Sequence, residues 1–199
     1  MPIKKETLNY YKKNVQNFVK GTINADMGMN RGKFLARIPA HGSILDLGCG
    51  SGRDTKKFLE MGYAVEAVDG CRELCEMAAA YTGIPVRQMD FLELDDRGKY
   101  DGIWACASVL HLPYEELRIV MAKMAVALKK NGVLYVSFKY GDFEGWRNGR
   151  YFTDMTEDGV KQLMEEIKGV SVEEIWVTAD VREGREDERW VNGVGRKDG

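Results

Sequence analysis

The sequence predicts an α/β fold, a doubly wound and mostly parallel sheet, on three observations. From residue 43 onward, short apolar runs alternate with segments of 3.6-residue apolar periodicity, an order that calls for parallel strands joined by helices. Behind the first run, Ser43-Ile44-Leu45, lies the glycine-rich stretch Asp46-Leu47-Gly48-Cys49-Gly50-Ser51-Gly52, which reads as strand, tight turn and helix start. Near the C-terminus, residues 174–177 and 189–192 are apolar runs flanking a charged, glycine-containing segment, so they form a long hairpin whose last strand runs antiparallel.

Taken in order, Leu8, Tyr11, Val15, Phe18 and Val19 recur at three- and four-residue steps and mark an amphipathic helix ahead of the sheet. A second short helix carries Phe34, Leu35 and Ile38 before Pro39. Residues 1–40 are therefore read as N-terminal helices and residues 41–199 as the core of one domain. Helices are expected at about 53–61, 72–82 and 114–130, and a final one at about 157–168. The third of these is the best punctuated: Pro113 at its start, Glu115 and Glu116 in its first turn, Lys129 and Lys130 in its last, and Gly132 beyond. Its Leu117, Val120, Met121, Met124 and Leu128 form a packing face. Gly193 and Gly195 weaken the last strand, since glycine offers no side chain to pack.

The glycine loop lets a small molecule lie against bare main chain, and the helix opening near Arg53 points free N–H groups at a carboxylate or phosphate. A dinucleotide fingerprint would need its third small residue at position 53, where this chain has Arg53. Asp46, an acid ahead of the first glycine, would repel a pyrophosphate. An amino-acid-bearing cofactor fits better than NAD.

Ile44 to Gly52 resembles motif I of the class I S-adenosylmethionine-dependent methyltransferases, and later residues keep step. Residues 64–69, ending in Asp69, resemble the second strand with its ribose-binding acid. Residues 86–91 resemble the third strand with an adenine-contacting acid and neighbour, Asp90 and Phe91, residues 100–105 the fourth strand, and residues 129–134 the turn into the fifth. The overall pattern is similar to small stand-alone bacterial relatives that include tellurite-resistance and thiopurine-type enzymes. The resemblance implies a Rossmann-like seven-stranded sheet with an N-terminal helical lid, and S-adenosyl-L-methionine as cofactor. The cofactor-binding set it implies is Tyr11, Asp46, Gly48, Cys49, Gly50, Gly52, Arg53, Asp69, Gly70, Asp90, Phe91 and Ala107, with no metal. Three of these have a plainer reading: Asp69 as a turn acid, Arg53 as a solvated arginine rather than a partner of the cofactor carboxylate, Tyr11 as core.

The acceptor side is read from what surrounds the strand ends. Residues 105–108 lack the Asn-Pro-Pro-Tyr pattern of amine methylation on nucleic acid or glutamine; Cys106 sits near where the similar cytosine-C5 enzymes keep a nucleophilic cysteine, but Ala105 replaces the proline that precedes theirs, so that thiol reads as inert. His111 is the candidate catalytic base, or else a loop histidine bonded to backbone. Tyr10, Lys139, Tyr140, Arg150 and Phe152 are the candidate substrate contacts, with residues 141–153 a loop placed over the acceptor and Arg150 suited to an anion. The expected activity is methyl transfer to a small molecule. RNA or protein methylation is the enzymatic alternative, and a nucleotide-cofactor binder or NAD-dependent dehydrogenase the alternative of another class.

With 199 residues, 44% hydrophobic and 30% charged, the chain is long enough to bury one substantial core. A formal charge of −2 argues against a broad electrostatic grip on nucleic acid. The charged start, residues 1–5, is not followed by an apolar leader and no stretch suits a bilayer, so the expected location is the cytoplasm, with no membrane partner. The four cysteines form no C-x-x-C pair and are read as reduced packing residues.

Overall fold

The computed structural model describes residues 3–199; Met1 and Pro2, the first part of the charged start read above, lie outside them. Among the described residues nine strands and six α-helices are laid out in chain order as α1 (Ile3–Thr22), α2 (Gly28–Leu35), β1 (Ser43–Leu47), α3 (Arg53–Glu60), β2 (Ala64–Asp69), α4 (Arg72–Thr82), β3 (Val86–Gln88), β4 (Tyr100–Ala105), α5 (Tyr114–Ala127), β5 (Leu128–Lys139), β6 (Glu144–Arg147), β7 (Arg150–Thr153), α6 (Glu157–Glu165), β8 (Val170–Ala179) and β9 (Arg189–Lys197). Seven strands form one sheet in the order β3-β2-β1-β4-β5-β9-β8, and β6 and β7 pair apart from it. The sheet is parallel except for β9, which runs antiparallel to both β5 and β8. Strand order reverses between β1 and β4, so a crevice opens beyond their carboxyl ends.

Alternation along the strands feeds two cores. On one face Ile44, Trp104, Tyr135 and Val194 meet Phe34 of α2 and Phe58 of α3, with Trp104 and Tyr135 stacked at 3.9 Å. On the other, Leu45, Leu47, Ile103, Leu134 and Val136 meet α5 and α6, where Met121 and Met124 are fully buried. All four cysteines are free thiols. No described helix is long and apolar enough to cross a membrane.

Several boundaries differ from expectation. Helix α5 stops at Ala127: Leu128 is fully buried and pairs with Tyr100, Asn131 turns left-handed at φ 61°, and Lys129 binds Asp101 at 2.7 Å, so the two lysines belong to a bulged start of β5. Helix α6 ends at Glu165 rather than 168. Strand β3 covers only three residues, because the Asp90 carboxylate accepts the Leu92 N–H and caps a 3₁₀ turn over Phe91–Glu93. Leu8, placed in the apolar stripe of α1, is 37% exposed.

Gly193 and Gly195 do not weaken β9, which runs through both. A Cβ at Gly193 would lie 2.7 Å from Val160 Cγ1 and 2.8 Å from Met164 Cε, so the absent side chain is what lets α6 settle on the sheet. The β6–β7 hairpin, unanticipated within residues 141–153, turns at Asn148 (φ 51°) and Gly149 (φ 77°), the two positive-φ residues that a two-residue hairpin loop demands.

Candidate active site

A cleft with two connected lobes opens at the carboxyl ends of β1, β2 and β4, roofed by α1. The inner lobe spans about 680 Å³ and the outer about 1050 Å³, counting the space at their open mouths. They share Tyr11, Phe18, Gly48, Gly50, Ala107 and His111, which form the waist between them.

The glycine loop is held from below and behind. Gly48 and Cys49 both donate to the Val68 carbonyl of β2, at 2.9 and 3.0 Å, and Ser108 Oγ donates to the Leu47 carbonyl at 2.6 Å. Gly48 has φ 83°, and a Cβ there would sit 2.3 Å from Ser108 Cβ. Gly50 faces the roof instead, with its absent Cβ 3.0 Å from Phe18 Cε1. Gly52 lines neither lobe, since its missing side chain faces Thr82 and Ala78 of α4.

Asp69 ends β2 and clamps this loop, accepting the Gly50 N–H at 2.9 Å on one oxygen and the Cys71 N–H at 2.8 Å on the other. Burial raises its pKa against those backbone donors. It lines the inner lobe with Gly70, Asp90 and Phe91, so the two acids expected to serve the nucleoside stand in one chamber.

Asp46 and Cys49 line the outer lobe. The Asp46 carboxyl is 3% exposed, accepts the Thr55 hydroxyl at 2.6 Å, and is pushed up to about 7 by burial and by the charge of Asp54. Asp54, missed in the sequence, is a hub: Arg31 Nη1 and Arg53 Nη2 both donate to it at 2.6 Å, and Trp104 Nε1 donates at 3.1 Å. Burial works against its charge, but the two guanidinium groups outweigh it and lower its pKa. Arg53 is thus neither solvated nor unpaired; it is 17% exposed along its side chain and salt-bridged. Cys106 lies alongside, its thiol pushed up to about 12 by burial and by Asp54, which leaves it protonated and a poor nucleophile.

At the waist His111 Nδ1 lies 2.6 Å from the Tyr151 carbonyl and Nε2 2.7 Å from the Tyr11 hydroxyl. A carbonyl only accepts, so Nδ1 carries the proton and Nε2 accepts from Tyr11. Burial, aided by the charge of Arg150, pulls the His111 pKa down to about 4, so the ring is neutral. Burial also raises the Tyr11 pKa. Nearby Ala107 is held at φ 51° while its N–H donates to Ser137 Oγ at 2.9 Å.

The substrate candidates separate. Lys139, Arg150 and Phe152 line the outer lobe, and Tyr10 lines an outer vestibule continuous with it through Arg150. Tyr140 faces solvent at 43% exposure and lies outside the cleft, since the end of β5 turns its ring toward Glu157. The wall opposite the glycine loop comes from the β8–β9 hairpin, where Asp180 holds Arg182 and accepts Trp190 Nε1 at 2.9 Å. Periodicity could place that hairpin beside β5, but not bring its loop back over the cleft.

A methyltransferase-domain family model matches residues 44–132, the span that carries the glycine loop, Asp69, Asp90 and His111. Solved structures extend the likeness over the chain. The 1,6-didemethyltoxoflavin-N1-methyltransferase of Burkholderia thailandensis, solved with 1,6-didemethyltoxoflavin and S-adenosylhomocysteine bound, is 20% identical, with a TM-score of 0.80 over 98% of this chain and 89% of that one. The cyclase SpnF is 13% identical with a TM-score of 0.77 over 99% and 97%. An S-adenosylmethionine-dependent methyltransferase from Mesorhizobium loti is 16% identical with a TM-score of 0.70 over 87% and 100%. None of the curated proteins matches the sequence. The chain has the class I S-adenosylmethionine-dependent methyltransferase fold. The methyltransferase-domain match lies within that fold, over residues 44–132.

Proposed function

We propose that the protein is an S-adenosylmethionine-dependent methyltransferase of the cytoplasm acting on a small molecule, as one domain spanning residues 1–199. The observation that carries this reading is the two-lobed cleft, whose waist lies over the glycine loop. The site fits the cofactor, since Asp69 and Asp90 are acceptors for the hydroxyl groups of a nucleoside. Bound there, the cofactor supplies a methyl group on positively charged sulfur, which needs positioning rather than metal activation for in-line displacement.

In this reading Asp69 and Asp90 take the nucleoside, Gly48 to Gly50 lend backbone to the amino-acid part, and Phe18 with Tyr11 excludes water from above. A neutral His111 holds the Tyr11 hydroxyl at the waist, so Tyr11 rather than the ring nitrogen is the polar atom offered to an acceptor. Should the acceptor lose a proton, Tyr11 can pass it to Nε2. The outer lobe, a cleft walled by α1 and the β8–β9 hairpin, favours a small acceptor over RNA or protein, and the toxoflavin enzyme, solved with its small substrate, is a supporting parallel.

Incubation with methyl-labelled cofactor and separated small-metabolite, RNA and protein fractions tests this. Label should enter the small-metabolite fraction, and S-adenosylhomocysteine but not NAD should bind by isothermal titration. Label confined to RNA or protein, or NAD binding alone, would overturn it.

A further inference from the structure

The cations of the outer lobe are all matched by carboxylates except one. Arg53 is paired with Asp54, Lys139 and Arg185 share Glu188, and Arg182 holds Asp180. Arg150 has no acidic partner among the described residues. Among the described residues its guanidinium makes one hydrogen bond, a long one from Nη1 to the Tyr11 hydroxyl at 3.5 Å, and its Nε is buried with no acceptor.

Aromatic rings hold this guanidinium in place. Its central carbon sits 4.5 Å from the Tyr10 ring centre, 5.0 Å from Phe152 and 5.8 Å from Tyr11. Ring faces steady the flat side of a guanidinium but leave the N–H groups along its edge to be satisfied by something else. Arg150 lines the outer lobe and the vestibule and not the inner lobe, so that edge belongs to the acceptor side of the waist. A forked cation without a carboxylate partner, set among aromatic rings, suits a flat molecule bearing an anionic oxygen pair.

We propose that the methyl acceptor is a small anionic compound, carrying a carboxylate or phosphate that Arg150 binds through its guanidinium edge. The inference rests on the methyltransferase reading for the word acceptor, but the anion site itself stands on Arg150 alone. Arg150 would fix the acceptor's orientation and select against neutral analogues, which offer its guanidinium no opposite charge.

Benzoate, phenyl phosphate and benzamide share a ring and differ only in head group, and their binding to protein saturated with S-adenosylhomocysteine tests the proposal. Wild type should bind at least one of the two anions about tenfold more tightly than benzamide, the better anion telling carboxylate from phosphate. In Arg150→Met that preference should fall to about twofold or less with S-adenosylhomocysteine affinity retained, and Arg150→Lys, which keeps charge but loses the fork, should fall between. Equal binding of benzamide in wild type, or an anion preference that survives Arg150→Met, would overturn it. So would a loss of S-adenosylhomocysteine affinity in Arg150→Met with the preference intact, which would assign Arg150 to the cofactor. If S-adenosylhomocysteine fails to bind wild type, the methyltransferase reading falls, and the same three ligands on the free protein still decide the anion site.

Discussion

Between about pH 4 and 7 two buried side chains pull stability in opposite directions. Asp46 keeps its proton in the folded chain up to about 7 against 3.8 ordinarily, so folding binds a proton there and its burial costs progressively more as pH rises. His111 takes a proton only near 4 against 6.5 ordinarily, so its contribution is full above 6.5 and lost as pH falls toward 4. In Asp46→Asn, stability relative to the parent should rise with pH from about 4 to 7, by up to about 1.4 kcal/mol per unit. In His111→Gln it should fall relative to the parent as pH rises from about 4 to 6.5. Urea melts across this range check both signs, and curves parallel to the parent would contradict them. Gly48→Ala should cost about 3 kcal/mol or more, because left-handed backbone and the Ser108 contact penalise it together, and thermal unfolding will read this. The need for glycine at position 48 is legible in the sequence; its reason is not, because Ser108 lies sixty residues away along the chain.

Among elements, those whose pattern is local were the legible ones. Helices α3 and α4 begin at the expected residues, and the antiparallel last strand follows from two apolar runs about a charged loop. The end of α5 was misread because lysines near a helix C-terminus fit the dipole as well as they fit a bulged strand, and only the Lys129–Asp101 bridge and the Tyr100–Leu128 pairing decide. The β6–β7 hairpin carried the local signal Asn148-Gly149, masked by the charged residues around it. The role of Gly193 depended on a helix packed across the sheet, which no local pattern reports. Gly193→Ala should therefore cost about 1–3 kcal/mol, seen as a lowered melting temperature with S-adenosylhomocysteine affinity kept.

For the whole molecule, the inner half of the site was legible because motif order fixes which strand ends meet at the switch point. Of the outer half, Asp46, Cys49, Arg53, Lys139, Arg150 and Phe152 were legible, whereas Asp54, Asp180 and Trp190 were not, since they acquire their places only when α2, α3 and the β8–β9 hairpin converge. Because the cleft draws on both ends of the chain, ligand binding should be coupled to global unfolding: S-adenosylhomocysteine at about 100 times its Kd should add about 2.7 kcal/mol, and Asp69→Ala should abolish that gain, as denaturant titration can measure. Helix α1 does not run true across the cleft. It breaks at Asn14 (φ −119°, ψ 15°), whose side chain donates to the Tyr10 carbonyl at 2.8 Å, with Tyr11 before the break and Phe18 after it. The break leaves about three turns with Tyr11 on one side and the segment that seats Phe18 over Gly50 on the other. Asn14→Ala, by straightening the joint, should slow departure of the spent nucleoside in stopped-flow chase, making exit rather than capture the step this helix governs.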